Sequence, residues 1–223
     1  MARTKQEVVS EFRSAEILEA ARKVFARKGF NGATVDDIAE AAAVAKGTVY
    51  LYFPSKRDIY LAALKRGLTT LIEETKRNVA AAASPADKLR AFISTRLQFA
   101  DENRDLAPIL QVEFANLGLP QSHKEFRQLY LEQVNTLRSV LDEAVRQGQV
   151  RAVRTDAVAV LVYETTRAVV MQRRLGWSKA GLEEDIEMVL DLIWRGLAAG
   201  SGIPGSSRGV DAAGSSVNVS GDK

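Results

Sequence analysis

The sequence predicts an all-α protein, a small N-terminal three-helix unit with a helix-turn-helix followed by a larger helical body. Three observations carry that prediction. Apolar residues recur at helical spacing from end to end, no stretch of four to eight residues alternates as a strand would, and the helix starts are marked by capping residues.

The first helix is expected at 14–28, where Ile17, Ala21, Val24 and Phe25 form one apolar stripe and Arg13, Glu16, Glu19, Arg22, Lys23 and Arg27 lie off it. Gly29-Phe30-Asn31-Gly32 then supplies a turn that tolerates positive φ. Thr34, with Asp37 three residues on, starts a second helix at 35–42, whose Val35, Ile38, Ala39 and Ala42 can face the same core. A short third helix follows at 46–52. Ser55 with Asp58 starts a long fourth at 55–82, and Ser84 with Asp87 a fifth at 85–101, where Pro85 takes the first helical position. Further helices are expected at 106–117, 122–147, 156–175 and 179–198, with Pro54, Pro85, Pro108 and Pro120 at or beside the junctions. From Gly200 the chain turns Gly/Ser-rich and is expected to be a disordered tail. These elements divide the chain into a head at 1–54, a body at 55–199 and a tail at 200–223.

Composition removes whole classes of function. At 223 residues, 46% hydrophobic and 26% charged, the chain has the balance of a soluble globular protein. Its longest apolar run, Ala157 to Tyr163, is far short of the ~18 residues that suggest a membrane span. A cytoplasmic protein without membrane partners is expected. With no cysteine and one histidine there is neither a thiol nucleophile nor a Cys/His metal site, and no phosphate-loop, dinucleotide or serine-elbow motif is present. No catalytic residue, metal or cofactor is therefore expected. The first 60 residues hold ten Lys/Arg and eight Asp/Glu, so a polyanion would have to be met by a local arrangement of a few cations.

The third helix, Lys46-Gly47-Thr48-Val49-Tyr50-Leu51-Tyr52, offers such an arrangement. Val49 and Phe53, four apart, would hold it to the core while Lys46, Thr48, Tyr50 and Tyr52 look outward as donors and acceptors. Gly47 leaves its N-terminal turn open to a phosphate or a base edge. Two short helices separated by three or four residues are what a helix-turn-helix needs.

The spaced pattern Ile17-x-x-Ala20-Ala21-x-x-x-Phe25-x-x-x-Gly29-Phe30, Thr34-Val35-x-x-Ile38-Ala39 and Val44-x-Lys46-Gly47-Thr48-Val49-Tyr50-x-Tyr52-Phe53-x-Ser55-Lys56 resembles the DNA-binding domain of TetR-family transcriptional regulators. The resemblance implies that Thr34 meets a phosphate and that Lys46, Gly47, Thr48 and Tyr50 meet DNA. It also implies that Tyr52 touches the backbone and that Lys56 clamps a phosphate. Base reading would fall to Lys46, Thr48 and Tyr50. Where the family usually has Ala-Gly-Val-Ser in the turn, this chain has Ala42-Ala43-Val44-Ala45. Loss of the hydroxyl cap costs ~0.5–2 kcal/mol and alanine in a left-handed turn up to ~1–2 kcal/mol, so some strain, or a slightly altered turn, is expected without loss of function.

In the body, Leu182, Ile186, Val189, Leu190, Ile193 and Leu197 form one stripe and Val158, Leu161, Val162, Thr165 and Val169 another. Either they are intramolecular core, or the two helices pack on the same pair of a second copy as a four-helix bundle. The resemblance implies the latter, a homodimer on a palindromic stretch of double-stranded DNA, released by a small-molecule inducer. Candidate lining for an inducer site comes from Phe92, Arg96, Phe114, Tyr130, Tyr163, Glu164 and Arg167, with Phe99, Phe126 and Trp177 as further aromatics. The inducer class stays open between an anionic amphiphile, such as a fatty acyl thioester, and a planar cationic or neutral compound. A ligand-responsive repressor is the reading; an activator of the same fold and a helical protein-interaction adaptor are the alternatives.

Overall fold

The computed structural model describes residues 4–104 and 124–198. The helix expected at 106–117, the candidate Phe114 and the tail at 200–223 lie outside them. Among the described residues the fold is all-α, as expected, with eight helices: α1 (Lys5–Gly32), α2 (Val35–Ala41), α3 (Lys46–Tyr52), α4 (Lys56–Ala81), α5 (Pro85–Glu102), α6 (Lys124–Arg146), α7 (Thr155–Arg174) and α8 (Leu182–Leu197).

Caps set most of these boundaries. The Thr34 hydroxyl accepts from the Asp37 N–H, and the Asp37 carboxylate accepts from the Thr34 N–H. Ser84 and Asp87 repeat this box at α5, and Ser55 caps α4. The largest difference from expectation is α1, which begins nine residues before 14. There Thr4 and Glu7 form a capping box, and Val8, Val9 and Phe12 ride exposed on the added turns. Because they bury nothing, the apolar stripe gave no sign of them.

The head core joins Ile17, Ala21, Val24 and Phe25 of α1 to Ile38 of α2, Val49 of α3, and Ile59, Tyr60, Leu64 and Leu68 of α4. It therefore runs well past residue 54 into α4. Gly29, at φ 68, turns the chain so that Phe30 meets the first turns of α4. Tyr60 stands edge-on to both Phe25 and Phe30, at 5.3 and 5.0 Å between ring centres. The Lys56 ammonium lies 4.6 Å from the Phe30 ring and donates to the carbonyls of Phe30 and Ala33. The start of α4 is thus fastened to the α1–α2 corner.

In the body α5 is central, packing against α4, α6, α7 and α8. Two of the expected assignments change here. Phe126, expected among the inducer-lining aromatics, lies in the head core at the start of α6, and Trp177 is 76% exposed. The two body stripes are mainly intramolecular: Val162, Val169, Ile186, Val189 and Leu197 are buried in the body core. The apolar face left outward is made by Val160 and Met171 of α7 with Met188 and Leu192 of α8, together with Leu161, which was expected in the α7 stripe but is 65% exposed. Each helix has more apolar residues than one face can hold, so periodicity picked most of the inner set but drew in Leu161 from the outer one.

Candidate nucleic-acid interface and ligand site

The α2–α3 turn is built as the sequence implied, with its strain. Ala43 has φ 52, where a Cβ crowds the backbone at a cost of ~1–2 kcal/mol. Ala45 occupies the N-cap of α3 without a side-chain cap. The turn holds through the backbone: the Val44 N–H donates to the Ala39 carbonyl and the Thr48 N–H to the Ala45 carbonyl.

Val49 is fully buried and Phe53 nearly so, which fixes the roll of α3. Lys46, Gly47 and Tyr50 consequently face outward, and Thr48 is half-exposed. Tyr52 departs from expectation, since it is half-buried against the head core, three residues from Val49 on the same side. Leu51, which the sequence reading passed over, is 83% exposed on the outer face. An apolar side chain there suits contact with a thymine methyl.

Charge on this surface is partly spoken for. The Lys46 ammonium is 2.8 Å from Asp36, whose hydrogen bond and negative charge raise its pKa. The Asp37 carboxyl is held down to about 2, chiefly by the Lys28 ammonium at 2.7 Å and then by the Thr34 cap. Lys56, expected to clamp a phosphate, spends its donors on two carbonyls of the chain itself.

Gly47 carries a sharper signal. A Cβ built on it meets nothing within 4 Å, so packing within the chain does not require glycine there. Gly47→Ala is expected to leave the fold unchanged or to stabilise it by ~0.5–1 kcal/mol, since glycine inside a helix is unfavourable. It is also expected to weaken operator binding by roughly tenfold, because the methyl would stand where the family resemblance sets the DNA. Thermal melts and anisotropy titrations check both halves, and full operator affinity in the variant would take Gly47 out of the interface.

In the body the candidates Phe92, Arg96, Tyr130 and Tyr163 come together. Arg96 is only 7% exposed, with its guanidinium 3.9 Å from the Tyr163 ring centre and 5.5 Å from that of Phe92. Its Nε donates to Thr166 and one terminal nitrogen to Gln133. Among the described residues no carboxylate pairs with it. Tyr130 stacks edge-on against Tyr163 at 4.8 Å. Burial, and then the charge of Glu164, raise its pKa. Glu164 and Arg167 form an ion pair on the outer side of α7, roughly half exposed. Gln133 and Thr166 were not among the sequence candidates, and each meets Arg96 only through the fold.

Comparison with known proteins places both halves. The pattern described as bacterial regulatory proteins, tetR family, matches residues 17–63, and that described as tetracyclin repressor-like, C-terminal domain, matches residues 82–171. The fatty acid metabolism regulator protein of Bacillus subtilis strain 168 is 33% identical over 138 residues, 61% of this chain and 70% of that protein. The crystal structure of the B. subtilis regulator FadR in complex with stearoyl-CoA superposes with a TM-score of 0.70 at 28% identity, covering 82% of this chain and 98% of that one. FadR from Bacillus halodurans shares the fold, with a TM-score of 0.73 at 22% identity, 87% of this chain and 97% of that one. A helix-turn-helix head on a helical body, matched separately by both patterns, places this chain in the TetR family of transcriptional regulators.

Proposed function

We propose that the protein is a homodimeric repressor that binds a palindromic operator through α2 and α3 and is released by an anionic, amphipathic ligand of the fatty acyl class. The observation that carries the DNA half is the roll of α3, with Val49 and Phe53 buried beneath outward-facing Lys46, Gly47 and Tyr50. Thr48 reads bases with Lys46 and Tyr50, and Thr34, Tyr52 and Lys56 complete the contact set as phosphate or backbone partners. Lys56 can reach a phosphate only by sharing an ammonium that already holds the α1–α2 corner.

The ligand half rests on Arg96. A guanidinium buried against two aromatic rings, with no carboxylate among the described residues to pair with, is costly, and an incoming anion would offset that cost. Phe92, Tyr130 and Tyr163 supply the apolar wall beside it, and the acyl-CoA complex of the B. subtilis regulator supports a ligand of this kind. The second copy is assigned to the outward face of α7 and α8, where Leu161, Met188 and Leu192 are half or more exposed. A two-fold axis there would set two α3 helices against successive major grooves, ~34–36 Å apart.

The test is a binding titration on intergenic DNA next to the gene, over a range of salt, with stearoyl-CoA and stearate added in turn. Tight binding that weakens steeply with salt and is released by an acyl ligand is the expected result. No binding at low salt would overturn the DNA half, and binding indifferent to both ligands would overturn the acyl half.

A further inference from the structure

The strongest unassigned feature is a cleft of about 310 Å³ where the C-terminal ends of α5 and α7 meet the α7–α8 connection, with Asp101, Arg104, Arg173, Arg174, Ser178 and Lys179 among its walls. We propose that this cleft binds a phosphate-bearing anion, and that its occupancy is transmitted to the DNA-binding head. The proposal rests on the ligand-responsive reading above and adds to the place beside Arg96, which meets the carboxylate or thioester end, a second place for phosphates.

The argument begins with which charges are committed. Four cations line the cleft against one carboxylate. Arg173 is saturated: it grips Asp101 at 2.7 Å and Asp185 at 2.5 Å and donates to the Ala180 carbonyl, which fixes the walls. Asp101 is thereby occupied; Arg104 lies 3.8 Å from its carboxylate with a side chain 81% exposed, its Nε donating to the Asp101 main-chain carbonyl at 3.2 Å. Arg174 and Lys179 make no ion pair among the described residues and stand exposed at the rim. Three exposed cations around a wall whose carboxylate is spent repel one another, and a multiply charged anion relieves that repulsion. Two arginine forks and a lysine point charge match phosphate oxygens. The volume sits at the lower edge of small-molecule sites (~300–1,000 Å³), enough for a phosphorylated head but not for a long acyl chain as well.

The same turn of α5 touches the head. Two residues beyond Asp101, Asn103 accepts a 2.8 Å hydrogen bond from Arg22 of α1 while its own amide donates to the Phe99 carbonyl. An anion that draws Arg104 off Asp101 acts on a turn whose other side is tied to the head. The coupling this allows is limited by the difference in anion affinity between the two head positions.

The experiment is calorimetric titration of the full-length protein with inorganic tripolyphosphate, with coenzyme A bearing no acyl chain, and with stearate. The double variant R174Q/K179Q changes only exposed rim residues and so keeps the fold. Wild type is expected to bind both polyanions, and the variant to bind them roughly tenfold or more weakly, since each charge-assisted contact removed is worth about a decade. Stearate and operator affinities are expected to stay level. Equal affinity for the two polyanions marks the phosphates as the recognised group; tighter binding of coenzyme A adds the nucleotide. No polyanion binding by wild type, or equal binding by the variant, overturns the cleft. Polyanion binding without any stearate binding upholds the cleft and overturns the acyl reading instead. Asn103→Ala is expected to bind the polyanion yet no longer lose operator affinity in its presence; continued release would overturn the route through α5.

Discussion

Replacing Tyr50 by alanine is expected to lower operator affinity by ~30-fold or more while leaving fold and subunit association intact. The side chain is 47% exposed and lies outside the head core, so nothing internal depends on it. Its neighbour Val49, fully buried, fixes where it points. A good base contact is worth ~1–3 kcal/mol, and the proposed symmetric dimer would lose it twice, giving ~2–6 kcal/mol in all. Fluorescence anisotropy at several salt concentrations separates this from a charge effect. Loss of a base contact lowers affinity at every salt with the slope kept, whereas removing the Lys46 ammonium would also flatten the slope. Operator affinity within a factor of about two of wild type would take Tyr50 out of the reading set.

The contrast between head and body shows what a sequence can carry. In the head the information is local. Thr34 with Asp37 and Ser55 with Asp58 announce helix starts, and the four-residue step from Val49 to Phe53 fixes the roll of α3. The same step logic applied at three residues would have placed Tyr52 beside Val49 and so partly inside. Thr4-x-x-Glu7 was likewise visible as a capping box, but with no apolar stripe behind it the signal stood alone.

The body works differently because its decisive contacts are long-range. Gln133 is 37 residues and Thr166 70 residues from the Arg96 they bind, and neither spacing is periodic in anything. Arg22 and Asn103 are 81 residues apart. Nor could hydropathy decide between the two apolar faces of α7 and α8, since both are real: one is buried within the chain, the other left outside. Phe126 makes the point for a single residue. On composition it belongs with the body aromatics, and only the packing of α6 puts it into the head core, where it joins α4 as a second link between the two halves.

That linkage gives Arg173 an importance its position would not suggest, and Arg173→Leu is expected to destabilise the protein by ~3–5 kcal/mol. Asp185, only 4% exposed in the first turn of α8, would lose the guanidinium that compensates its charge, leaving the Ser178 hydroxyl as its remaining side-chain donor among the described residues. Asp101 would lose its partner too, but more gently, because its side chain is 27% exposed and water can replace the contact. The arginine joins α5, α7 and α8 at one point, so the damage is to helix packing as well as to charge. The asymmetry of buried pairs supplies the control. Removing one partner is costly, whereas Arg173→Leu combined with Asp185→Leu removes both charges and is expected to recover most of the loss. Urea unfolding of wild type and the two variants reads this directly from the midpoints. A single variant costing less than about 1 kcal/mol, as an exposed pair would, or a double variant no better than the single, would show that Asp185 is not held by Arg173 in solution.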